Sequence, residues 1–134
     1  DKLKIESKQN GGEYKKQTFK AALKNLQKNL QNEKNPIKKN LISFDMLMIT
    51  KKISSATKAL ELSGKISKLK NELEKDFKSC GNLIKAHKEE KYIIPLKLCR
   101  YEIIKRIGKF SEDRKNASKA IERLNKKLEE FQNS

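Results

Sequence analysis

Apolar residues recur at helical spacing from Tyr14 almost to the end of the chain, and this periodicity restricts the fold more than any other feature. Phe19, Leu23, Leu26 and Leu30 are separated by 4, 3 and 4 positions, which places them on one face of an α-helix. Asn35-Pro36 ends that helix, because a residue before proline is driven away from helical ψ. Pro36 suits the first position of the next helix, where its missing N–H costs nothing. The second helix carries Ile42, Met46, Ile49, Ile53, Ala56 and Leu60. Leu41, Phe44, Leu47 and Met48 widen its stripe, so its first half is expected to be the most buried part of the protein.

Ser63-Gly64 is the next expected break, with Gly64 in the left-handed position just past a helix end. Ile66, Leu69, Leu73, Phe77, Cys80, Ile84 and His87 then form a stripe out of phase with the one before. A further break is expected from Glu89 to Pro95, with Pro95 again as a first helical residue. In the last segment Leu96, Cys99, Ile103, Ile107 and Phe110 share a register with Ala117, Ile121, Leu124, Leu128 and Phe131, and only Arg114 is polar within it. Gly108 and the cap-like Ser111-Glu112-Asp113 argue for a break. The unbroken phase argues for one continuous or gently kinked helix of about 36 residues, about 54 Å long, and we favour that form. No segment alternates with period two, so strands are not expected.

These segments predict an all-α antiparallel helical bundle of four helices, or five if the last one breaks. Short connections make sequential helices antiparallel neighbours. Residues 1–13 read as a flexible N-terminal arm and 14–134 as a single helical-bundle domain, a size that supports one modest core. No apolar run approaches the roughly 18 to 20 residues needed to cross a bilayer. A monomer is expected.

Cys80 and Cys99 lie on core-facing stripes either side of a predicted loop. Two antiparallel helices joined there bring them to similar heights, so a disulfide is expected, worth about 3 kcal/mol for a loop of this size. Such a bridge points to an oxidising compartment and hence to a secreted or extracellular protein. The start at Asp1, with neither an initiator methionine nor a signal-like apolar run, is expected of a trimmed chain. Zinc would need close ligand pairs, and Cys80, Cys99 and His87 offer none. No metal or other cofactor is expected.

Charge carries the functional reading. The chain has 33 Lys and Arg against 17 Asp and Glu, a formal +16. Residues 14–60 hold eleven lysines and only Glu33 and Asp45; residues 61–134 hold nineteen basic and twelve acidic residues. Lys16, Lys20, Lys24 and Lys28 recur every four positions, stacking into one ribbon whose mutual repulsion opposes the helix by a few tenths of a kcal/mol per pair, roughly 0.2–0.5. Lys38, Lys39, Lys51 and Lys52 extend the basic surface on the second helix. Lys97, Arg100, Lys105 and Arg106 form a further group near the expected bridge, with Lys109 beside them.

These cations suit an acidic protein surface or a sulfated polysaccharide. Sequence-specific nucleic-acid binding fits poorly, with 4 Arg in the chain and every phenylalanine (Phe19, Phe44, Phe77, Phe110, Phe131) on an apolar stripe; non-specific binding in vitro is expected. An enzyme is not expected, because no nucleophile, base and orienting group can be assembled. In general type the chain is similar to small basic helical proteins that parasites, pathogens or blood-feeding animals present to a host, and this likeness implies a target in haemostasis or complement. The leading expectation is a secreted non-enzymatic binding protein that inhibits by occupancy. The alternative is an intracellular nucleic-acid-associated or chaperone-like basic bundle with reduced cysteines.

Overall fold

The structure, a computed structural model, describes residues 11–133, with side-chain surroundings from Thr18 onward. Five α-helices follow one another, α1 Gly11–Asn32, α2 Pro36–Lys52, α3 Ala56–Ala86, α4 Glu90–Ile107 and α5 Ser111–Asn133, with no strand among the described residues. The described residues are therefore all-helical, as the periodicity predicts. The arm assigned to residues 1–13 lies outside the described residues up to Asn10, and Gly11 already begins α1.

The first connection follows the sequence logic closely. Asn35 has extended backbone, φ −78° and ψ 122°, and its side-chain oxygen accepts from the N–H groups of Ile37 and Lys38 at 2.9 and 3.3 Å. This satisfies two of the orphan donors at the start of α2, while Pro36 occupies the first turn without needing one.

The second connection does not fall at Gly64. Gly64 lies inside α3, and no glycine among the described residues has a positive φ. The break lies at Ile53-Ser54-Ser55. The hydroxyls of Thr50 and Ser54 donate to the carbonyls of Met46 and Thr50 at 2.7 and 2.6 Å. The Ser55 hydroxyl then accepts from the Lys58 N–H at 3.4 Å, as an N-cap does. Hydroxyls competing for main-chain partners here close one helix and open the next. The phase change read at Gly64 therefore occurs nine residues earlier. Leu60 accordingly lies off the new face and is 77% exposed, while Leu62 and Ile66 are buried.

Pro95 does not start a helix either. It sits within α4, which begins at Glu90, and having no N–H it cannot donate to the Lys91 carbonyl. The long final helix is also divided. Gly108 leaves helical geometry at φ −57°, ψ 135°, and α5 starts at Ser111. The shared register of the two halves reflects two helices that each turn the same stripe inward.

The chain separates into two compact units, residues 1–69 and 70–134. In the first, α1 and α2 pack antiparallel, with the Lys52 ammonium at the end of α2 lying 5.9 Å from the ring centre of Phe19 near the start of α1. Its buried residues are Leu41, Phe44, Leu62 and Ile66. In the second, the remainder of α3 packs against α4: Glu74 and Ile107 line one hollow, Ile84 and Lys97 another. Helices α4 and α5 pair closely and antiparallel, as the Glu90–Lys127 ion pair at their far ends requires. Ala117 and Ala120, both buried, keep that approach short.

The deepest burial is in the second unit, not in the first half of α2. Leu73, Cys80, Ile94 and Ile103 are exposed by 1% or less, and each aliphatic side chain among them contributes about 1.5–3 kcal/mol by leaving water. Met48, Phe110 and Phe131 are exposed despite their places on apolar stripes.

Cys80 and Cys99 are thiols with no bond between them, which corrects the expected disulfide. The two cysteines nevertheless lie at similar heights, because Gly81 and Arg100, the next residue along from each, meet across the helices. Burial raises the Cys80 pKa, with Cys99 and Asp76 adding to the effect and Arg100 opposing it.

Candidate polyanion-binding surface

Lys20, Lys24 and Lys28 are exposed on α1, while Phe19, Leu23, Leu26 and Leu30 are half-buried. The fourth ribbon residue, Lys16, belongs to α1, but its side chain lies outside the described residues. Lys38 and Lys39 are exposed in the first turn of α2, which holds no acid. Cations beside the positive end of a helix are unfavourable by about 0.3–1 kcal/mol. Helix stability alone therefore does not account for them. Lys51 and Lys52 occupy the last turn of the same helix, where the dipole favours them.

The group on α4 is less uniform than its sequence suggests. Lys97 and Lys105 are exposed. Arg106 is engaged locally: its Nη1 donates to the Glu102 carboxylate at 2.9 Å and to the Glu102 carbonyl at 3.0 Å. Arg100 is half-buried, with its guanidinium carbon 3.9 Å from the ring centre of Phe77. Within the α4 group, only Lys97 and Lys105 present an exposed charge as the sequence reading expects.

A second basic site was not singled out by sequence. Lys97 and Tyr101 of α4 and Arg123, Lys126 and Lys127 of α5 surround a groove of about 420 Å³, with Glu130 as the carboxylate among its lining residues. The signal was available in spacing: 97 and 101 are four apart, and 123, 126 and 127 share a helix face. What sequence could not supply was the antiparallel register that brings the two sets together. Lys127 pairs with Glu90 at 2.5 Å. That hydrogen bond and charge raise the Lys127 pKa and lower the Glu90 pKa.

Among the described residues, no three His, Cys, Asp or Glu side chains stand together as metal ligands. His87 is exposed in the connection before α4, its ring centre 6.0 Å from that of Tyr92. No described helix is long and apolar enough to cross a membrane. Comparison with known proteins gives no match: no family model, curated protein or solved structure corresponds to the chain.

Proposed function

We propose that this is a secreted, non-enzymatic binding protein that engages a host protein or a polyanion through its basic helical surfaces and inhibits by occupancy. The observation that carries the reading is the ribbon on α1, where Lys20, Lys24 and Lys28 are exposed and no carboxylate occurs between Tyr14 and Asn32. A surface selected only for solubility would interleave both signs of charge. The groove between α4 and α5 adds a second place where cations converge. A sulfated polysaccharide or an acidic face on a haemostasis or complement protein has the complementary charge.

The test is affinity for heparin and for plasma proteins, measured against salt, with Lys20, Lys24 and Lys28 replaced by Glu. The proposal expects a loss of at least tenfold and a shallower salt dependence. Unchanged affinity would remove the ribbon from the binding surface.

A second reading, an intracellular nucleic-acid-associated or chaperone-like bundle, is favoured by the unbonded thiols. The mass of the protein isolated from its source separates the two. A Cys80–Cys99 disulfide there, two hydrogens lighter, would favour the first reading; two thiols, as in this structure, favour the second.

A further inference from the structure

We infer that the cleft between α3 and α4 binds a single-chain amphiphile bearing a carboxylate. Phe77 and Ile104 line two adjoining hollows of about 220 and 290 Å³. Ile84 extends the apolar lining at one end and Ile107 at the other. From Glu74 to Ile84 the α3 wall is about 15 Å long at 1.5 Å per residue, room for a medium alkyl chain. Arg100 lines the same cleft.

The setting of Arg100 points to the head group. Its guanidinium lies against the face of Phe77, and its Nε–H is shut off from solvent with no acceptor. Gly81 makes room for it: a Cβ there would stand 3.2 Å from both Cζ and Nη2 of Arg100. Arg106, six residues further along α4, has its own carboxylate in Glu102. A planar guanidinium held in a slot matches the two oxygens of a carboxylate, and the apolar surroundings strengthen the pairing. Lys97, exposed, adds a second positive charge to the same lining. Lys78 and Lys109 stand with Glu74 at the other hollow, but a polyanion would leave the apolar strip of Phe77, Ile84, Ile104 and Ile107 unused. A fatty carboxylate satisfies both the guanidinium and the apolar lining. This inference does not rest on the polyanion reading.

The probe is dodecanoate below its micellar concentration, titrated calorimetrically into the full chain beside dodecan-1-ol and acetate. The inference expects one site, with dodecanoate at least tenfold tighter than the alcohol and no measurable acetate binding. Arg100→Gln should abolish the preference for carboxylate over alcohol. Gly81→Ala, which favours the helix but crowds the guanidinium, should weaken dodecanoate severalfold and serves if Arg100→Gln fails to fold by circular dichroism. Replacing Lys20, Lys24 and Lys28 by Glu should leave dodecanoate binding intact, which separates this site from the α1 ribbon. Equal affinities for acid and alcohol, many equivalent sites, no binding, or dodecanoate affinity unmoved in a folded Arg100 or Gly81 variant would each overturn it.

Discussion

The guanidinium of Arg114 donates to the main-chain carbonyl of Gly108 at 2.6 Å. The Gly108 N–H in turn donates to the Ile104 carbonyl at 2.8 Å. Together these bonds close α4 and fix the direction in which α5 departs. The one polar residue in an otherwise apolar register is therefore the residue that holds the turn.

Gly108 has no room for a side chain. A Cβ there would lie 2.6 Å from the Ile104 carbonyl oxygen, which is main chain and cannot swing away. Gly108→Ala should destabilise the protein by about 1–3 kcal/mol, the usual cost of forcing extra atoms into a filled space, seen as a lower midpoint in thermal unfolding.

Gly64 should behave in the opposite way. It lies within α3, and a Cβ there meets nothing within 4 Å. Gly64→Ala should raise stability by about 0.5–1 kcal/mol, the difference between the two residues in a helix interior. Denaturant midpoints of the wild type and variant check it.

Two leucines on the same helix should differ sharply. Leu73 is 0% exposed and Leu60 is 77% exposed. Leu73→Ala should cost about 2–5 kcal/mol, whereas Leu60→Ala should change stability by no more than about 0.5 kcal/mol. Urea unfolding of both variants decides whether the face of α3 runs through Leu73.

The Cys80 thiol should make the fold sensitive to alkali. Its ordinary value is 9.0, and burial raises it in the native state. The folded chain then holds the proton more tightly than the unfolded chain. This contribution is complete below the unfolded value and is lost as pH climbs from about 9 towards the raised native value. Cys80→Ala should lower stability at neutral pH yet flatten its decline on the alkaline side, a difference measured by unfolding at a series of pH values.

Glu90 restrains one cation of the α4–α5 groove. Glu90→Gln removes the partner of Lys127 and should increase heparin affinity severalfold at low ionic strength, the gain fading as salt screens exposed charges. Both side chains are more than half exposed, so the melting temperature should scarcely move. An unaltered heparin affinity would show that the groove takes no part.

What could be read in advance depended on whether a signal was local. Asn35-Pro36 carries its own stop and start in two adjacent side chains, and the structure reproduces both. The Ile53-Ser54-Ser55 break went unread because its agents are hydroxyls bonding backward along the chain, a weaker mark than the glycine at 64. Gly108 and Arg114 were both noticed, but their joint action needs the turn to exist first. The basic groove was less legible still. Lys97 and Tyr101 lie about two dozen residues from Arg123, and only the close pairing of α4 with α5 brings them together. Arg106 reads as a binding residue from its charge and as an ion-pair partner from its spacing of four from Glu102, and in the structure the pairing holds it.

Each of the four connections between helices is three residues long. A protease that cuts after lysine or arginine needs extended backbone, and between Gly11 and Asn133 the folded chain offers it only there. Lys34, Lys88 and Lys109 each sit in one of these gaps, and the gap at Ile53-Ser54-Ser55 contains no basic residue. For all its cationic richness, the native protein should therefore meet trypsin with four accessible bonds in this span, after these three lysines and between Lys52 and Ile53 at the end of α2, and resist digestion far longer than its composition implies.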